Sequence, residues 1–199
     1  MKENKNHLYK ICKIIYSVLL KILFRPTIYG IENIPKEGSL IFAGNHRHAL
    51  DPIVVMSNTN RVVHYMAKEE LFKGLHGIIF EKIGLIKIHR NKSNPLAVIE
   101  AENILKQGGT IGIFPEGTRV KGDRFGDAKA GLALFAIKGK AHVIPISIIS
   151  NYRIFSKVTI FIDKPISFEE YYKQKLSTED YERLSGDVME VIKDNYFKR

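Results

Sequence analysis

Residues 8–24 are mostly apolar and are charged only at Lys10, Lys13 and Lys21, and the longest stretch near their centre without a charge is 14–20. A helix that crosses a bilayer needs roughly 20 mostly apolar residues, so this segment does not span. At about 100° per residue, Lys10, Lys13, Ser17 and Lys21 fall within an arc of roughly 80°. The remainder of the wheel is mainly Leu, Ile, Val, Tyr and Phe. The pattern predicts a helix lying in a membrane interface over residues 1–25, its lysines turned toward headgroups. A helix packed on a core is the competing reading. After Pro26 the pattern changes to short β-like runs at 39–44, 62–67, 85–89, 110–114, 142–149 and 157–163, rich in Ile, Val and Phe. Helix starts lie between them: Asp51-Pro52 and Asn94-Pro95 each read as N-cap then N1, and Gly108-Gly109 ends the second helix. Residues 127–138 read as a buried helix. Ser167 with Glu170 and Ser177 with Asp180 have capping-box spacing. Strands alternating with helices predict a single α/β domain over 26–199, its sheet covered on both faces.

Charge sharpens the reading of the N-terminus. The 199 residues carry 31 Lys and Arg against 21 Asp and Glu, a net +10. Lys2, Lys5, Lys10, Lys13, Lys21 and Arg25 against Glu3 put +5, half of that excess, within the first 26 residues. Each cation near an anionic leaflet is worth about 1 kcal/mol, which predicts an anionic phospholipid membrane as a partner. Lysines inside the apolar stretch and the lack of a small-residue cleavage site argue against a signal peptide. One cysteine, Cys12, excludes a disulfide framework or a cysteine-built zinc site and fits a reducing, cytosolic compartment. No aromatic RNP-like platform or zinc finger points to nucleic acid.

Two segments carry chemistry. Asn45-His46-Arg47-His48-Ala49-Leu50-Asp51-Pro52 follows an apolar strand and precedes a helix, at the strand end where open α/β sheets bind ligands. His46 in the loop and Asp51 at the helix start can turn toward each other, giving a base and the group that orients it. With no G-x-S-x-G elbow and the only thiol at Cys12, the nucleophile would be a substrate hydroxyl activated by His46, worth roughly 10²–10⁴ in rate. H-x-H-x-x-D also invites a metal reading, but few donors remain to complete a shell, and no metal is expected. The second segment, Phe114-Pro115-Glu116-Gly117-Thr118-Arg119, again follows a strand. Gly117 permits close backbone approach and Arg119 offers a planar fork for phosphate. Neither nucleotide-cradling glycine motif occurs in the chain.

His-x4-Asp followed by F-P-E-G-T-R resembles the glycerolipid acyltransferases, the bacterial 1-acylglycerol-3-phosphate acyltransferases among them. Four ordered blocks carry the likeness: Asn45-His46 through Asp51-Pro52, Gly84 through Arg90, Phe114 through Arg119, and Val143-Ile144-Pro145-Ile146, with Ala67-Lys68-Glu69-Glu70-Leu71 as a connector. The resemblance implies a mixed central sheet flanked by helices. It implies transfer of a fatty acyl group from an acyl thioester to the sn-2 hydroxyl of lysophosphatidate, giving phosphatidate without an acyl-enzyme. His46 would be the general base and Asp51 its orienter. Arg90, Glu116, Gly117, Thr118 and Arg119 would bind the acceptor, and Lys68 would steady the thioester oxygen. Pro145 and its neighbours would line the acyl chain. The co-substrate would be acyl-CoA or acyl-carrier protein, with no cofactor. The site of action would be the cytoplasmic face of the membrane, with the protein bound peripherally. Another lysophospholipid or alcohol acceptor stays open at this point.

Overall fold

The computed structural model describes residues 2–89 and 94–198; Arg90, one of the expected acceptor-binding residues, lies outside them. Among the described residues, seven strands form one sheet: β1 (Arg25–Tyr29), β2 (Leu40–Gly44), β3 (Val63–Lys68), β4 (Ile86–Ile88), β5 (Thr110–Ile113), β6 (His142–Ile149) and β7 (Lys157–Ile162). Their order is β1-β7-β6-β2-β5-β3-β4. All five residues of β2 are buried, as an apolar run without alternation requires of a strand covered on both faces. β1 and β7 alternate between more and less exposed positions, the period-two signature of a strand with a wetter face.

β6 and β7 pair antiparallel, and the other five strand pairs are parallel. That single reversal, with β1 parallel to β7, brings the starts of β1 and β7 to the same edge as the ends of β2 and β6. The chain entering the sheet at Arg25 and the loop after β6 therefore share one edge with the His46 segment.

Helices cover both faces. On one, α4 (Pro95–Lys106), α5 (Gly131–Lys138) and α6 (Thr178–Phe197) bury Ala101, Leu105, Leu132, Val188 and Ile192 against Ile41, Ile111 and Val143. On the other, α1 (Lys2–Leu23) and α2 (Asp51–Asn58), with Phe24 just past α1, bury Leu20, Phe24, Val54 and Val55 against Phe42, Ile144 and Ile146. Between β3 and β4 runs α3 (Gly74–Lys82), an element its irregular pattern did not predict.

α1 is both packed and apolar outside. Tyr9, Leu20 and Phe24 are buried, and the Tyr9 hydroxyl accepts the Val63 N–H at 3.0 Å. Burial pushes that phenol up to about 12. Ile11, Ile14, Ile15, Val18, Leu19 and Ile22 are exposed, at the three- and four-residue spacings that share a helix face. The expected lysine stripe is split. Lys10 and Lys21 are exposed, but the Lys13 ammonium donates to the Thr59 carbonyl, and burial lowers its pKa. Lys13 therefore faces the protein and not a headgroup. No helix among the described residues is long and apolar enough to cross a membrane.

Other differences are local. The helix expected over 127–138 starts only at Gly131. α2 takes Leu50 as its N-cap, with Asp51 in its first turn. Ser177 and Asp180 form the expected capping box. Ser167 instead accepts the Glu169 N–H ahead of a short 3-10 turn. β1 was not predicted, because Pro26 and a short polar-flanked run conceal an edge strand.

Candidate active site

β2 ends at Gly44, and the next residue fixes where the loop begins. The buried Asn45 amide donates to the Ile148 carbonyl at 2.9 Å and accepts the Ile148 N–H at 2.7 Å. A side chain thus continues the ladder to β6, so His46 leaves the sheet at a defined point. The backbone of His46 is held as well. Its N–H donates to Glu116 Oε1 at 3.0 Å, and its carbonyl accepts the Val120 N–H at 2.9 Å. The imidazole lies nearly parallel to Phe114, centroids 4.0 Å apart, and Phe114 in turn stacks on Tyr65 at 5.2 Å.

The imidazole Nδ1 sits 3.0 Å from Asp51 Oδ2. Asp51 is fully buried, while the His46 side chain is 18% exposed. The same Oδ2 accepts the backbone N–H groups of Arg47 and His48, both at 2.7 Å. Oδ1 accepts the hydroxyl of Tyr152 at 2.6 Å. Among the described residues four donors thus fix this buried carboxylate. A buried charge needs such a shell, and it keeps the carboxylate an acceptor for Nδ1–H, leaving Nε2 on the outer side of the ring. Burial first, and then the Asp51 charge, push the Tyr152 phenol well above its ordinary range, so it remains a donor.

Glu116 has a different position from the one expected. It is buried, and its two oxygens accept the N–H groups of His46 and Gly126, each at 3.0 Å. Both oxygens are engaged by backbone, so Glu116 splices the two loops together and is not a surface for the acceptor. Gly117, Thr118 and Arg119 are exposed immediately beyond it, with Gly117 at φ +66°. Lys68 is half-buried at the end of β3, on the same edge but two strands from His46, since β5 lies between. Pro145 is buried within β6 beside Ala43, a core position.

Arg47 buttresses the second loop. Its guanidinium lies 4.4 Å from the Phe125 ring centroid and 5.2 Å from that of Tyr196, and donates to the carbonyls of Val120 and Arg124. His48, the other imidazole of H-x-H-x-x-D, stacks on Tyr152 at 4.5 Å, and its Nδ1 accepts the Leu50 N–H. Among the described residues no group of three or more His, Cys, Asp or Glu is arranged to hold a metal ion.

Sequence reasoning singled out His46 and Asp51, which the structure brings together, but missed Asn45 as a splice and Tyr152 as a donor. The position of Asn45 beside His46 was a usable signal. Tyr152 had none, lying 101 positions from its partner.

Comparison with known proteins shows the family and the fold. The family model described as Acyltransferase matches residues 25–149. A 1-acyl-sn-glycerol-3-phosphate acyltransferase of Borreliella burgdorferi is 31% identical over 137 residues, 67% of this chain and 55% of that protein. One from Bacillus subtilis is 31% identical over 140 residues, 69% of each. The chain thus spans little more than half of the Borreliella protein. The crystal structure of the 1-acyl-sn-glycerophosphate acyltransferase PlsC from Thermotoga maritima superposes with a TM-score of 0.75 at 26% identity, covering 96% of this chain and 78% of that one.

Proposed function

The chain belongs to the acyltransferase family, and from that premise we propose that it transfers a fatty acyl group from an acyl thioester to the sn-2 hydroxyl of 1-acylglycerol 3-phosphate, giving phosphatidate. The observation that carries this reading is the His46–Asp51 pair at 3.0 Å, beside the exposed Gly117-Thr118-Arg119 loop. The names of the Borreliella, Bacillus and Thermotoga relatives support the choice of acceptor.

In the proposed step, His46 Nε2 takes the proton of the acceptor hydroxyl as its oxygen attacks the thioester carbonyl. The tetrahedral intermediate collapses, the carbon–sulfur bond breaks, and the leaving thiolate takes the proton back from the imidazolium. Asp51 holds Nδ1–H and stabilises the transient positive charge on the ring. No acyl-enzyme forms. Arg119, with Arg90 and the Gly117-Thr118 backbone, binds the acceptor phosphate, and Lys68 steadies the thioester oxygen. The donor is a thioester of coenzyme A or of acyl-carrier protein; both are anionic and suit a chain of net charge +10.

The acceptor is a membrane lipid. The exposed apolar face of α1 (Ile11, Ile14, Ile15, Val18, Leu19 and Ile22) with Lys10 and Lys21 supports peripheral docking on the anionic cytoplasmic leaflet.

The test uses purified protein with lysophosphatidate in mixed micelles, following thiol release from acyl-CoA and phosphatidate formation from acyl-carrier protein. Activity that falls at least about 10² in His46→Ala supports the reaction and its base. Activity that survives the substitution overturns the mechanism. Equal turnover of an uncharged glycerol acceptor overturns the phosphate role.

A further inference from the structure

The loop between β6 and β7, residues 150–156, ends in two apolar side chains turned outward, Ile154 and Phe155, each 66% exposed. The backbone that presents them is strained. Among the described residues only three non-glycines have positive φ, and two lie in this loop, Tyr152 at +49° and Phe155 at +66°. A bulky residue in the left-handed region costs on the order of 1–3 kcal/mol and persists only where its surroundings impose it. Here they do. The Phe155 N–H donates to the Leu23 carbonyl at 2.6 Å, tying the tip to the last turn of α1, and the Tyr152 ring meets Phe24 edge-on at 5.6 Å. Folding stability gains nothing from holding an isoleucine and a phenylalanine in water by a strained turn.

The charges around the tip indicate its partner. Arg153 and Lys157 flank it, and Lys21 and Arg25 stand exposed at the adjoining end of α1. No acidic residue occurs between Ser150 and Ile162. An apolar tip within a cationic collar matches an anionic lipid surface, acyl chains below and headgroups at its rim. We propose that Ile154 and Phe155 insert into the anionic bilayer as a lipid contact separate from α1, at the edge of the sheet that carries His46. The inference rests on the membrane reading of α1 and of the acceptor given above.

This contact would fix how the enzyme sits. Phe155 is three residues from Tyr152, about 10 Å of chain at most, and Tyr152 is bonded to Asp51. With both α1 and the loop seated, the dyad stands directly over the leaflet, and an acceptor headgroup reaches His46 without leaving the membrane.

The sequence contains no tryptophan, so Phe155→Trp in the full chain creates a single reporter at the tip. On adding vesicles of phosphatidylcholine and phosphatidylglycerol, its emission shifts to the blue and is quenched by lipids brominated in the acyl chain. Phosphatidylcholine alone gives a smaller response. A protein that sediments with anionic vesicles while its emission stays unshifted docks through α1 only, which overturns this proposal and leaves the membrane reading intact. A protein that does not sediment with them overturns both. Blue-shifted emission without lipid, together with a dimer mass, assigns the tip to contact between copies and also overturns it. A second variant, Ile154→Ser with Phe155→Ser, weakens vesicle binding about tenfold or more and raises KM for vesicle-borne lysophosphatidate. Turnover of a monomeric short-chain acceptor is unchanged. Unchanged vesicle binding overturns the proposal.

Discussion

Tyr152 and Asp51, 101 positions apart, meet at 2.6 Å, hydroxyl to carboxylate. The contact divides the Asp51 carboxylate into two jobs. Oδ2 takes the local donors, His46 Nδ1 and the Arg47 and His48 N–H groups. Oδ1 is fixed by a residue of the loop that follows β6, the strand beside β2. The orientation of the imidazole therefore depends on Tyr152 as well as on the turn that contains it.

Tyr152→Phe keeps the ring stacked on His48 and deletes only the donor. A hydrogen bond to a charged group is worth about 1.5–3 kcal/mol, or roughly 10- to 100-fold in rate where it is realised in the transition state. The expected result is a fall in kcat within that range, with KM for lysophosphatidate unchanged because the hydroxyl acts through Asp51. Steady-state kinetics on mixed micelles measure the split. A kcat within twofold of wild type removes Tyr152 from the positioning of Asp51.

Glu116 and Arg119 are three residues apart in one motif and should fail differently. Glu116→Gln puts an amide NH₂ against one of two backbone N–H donors and leaves that donor unpaired, at a cost of about 1–3 kcal/mol. For a chain of this size that lowers Tm by about 2–12 °C, and kcat falls because the His46 N–H is one of the two. Arg119→Ala, at an exposed position, leaves Tm within about 1 °C and raises KM for the phosphorylated acceptor roughly 10- to 100-fold. Thermal melts and kinetics on both variants separate the roles; the reverse pattern would exchange them.

The contrast shows what could be read from the chain. β2 and β6 were legible because central strands are continuous apolar runs, and β6 falls on the expected 142–149. The His46–Asp51 pair was legible because both residues lie in one short turn at a strand end. Glu116 was misjudged because a motif gives the residue without its direction, and only the fold reveals that both oxygens face backbone. Lys13 was misjudged because a helical wheel fixes which residues share a face, not which face the sheet covers. Tyr152 was invisible, since nothing local links position 152 to 51 until β6 pairs parallel beside β2 and sets the loop after it at the edge that carries His46.

Tyr9 makes the docking of α1 sensitive to alkali. Its hydroxyl stands at about 12 in the folded chain, against 10.0 for a free phenol, through burial. The folded protein keeps this proton where the unfolded chain has lost it. The resulting stabilisation is complete below pH 10 and is lost as pH rises from 10 to 12. Two units correspond to about 2–3 kcal/mol. Urea midpoints taken between pH 9 and 12 should fall more steeply for wild type than for Tyr9→Phe, although the variant starts lower for want of a partner for the Val63 N–H. Parallel curves would mean that Tyr9 titrates at its ordinary value.

Gly112 lies in β5 where a side chain would meet the ring of Tyr65: a Cβ there would stand 2.3 Å from the nearest ring carbon. Tyr65 is buried and stacks on Phe114, which stacks on His46. Strain at Gly112 therefore has a direct path to the imidazole. Gly112→Ala should cost about 1–3 kcal/mol as an overpacked core and lower kcat by displacing the ring column. Tyr65→Leu vacates the space that the new methyl needs, so the double variant should be more stable than the two single losses predict. A double-mutant cycle on unfolding free energy measures this. Coupling above about 0.5 kcal/mol is expected for groups in contact, and additivity within that margin would mean that the sheet, not the ring stack, absorbs the strain.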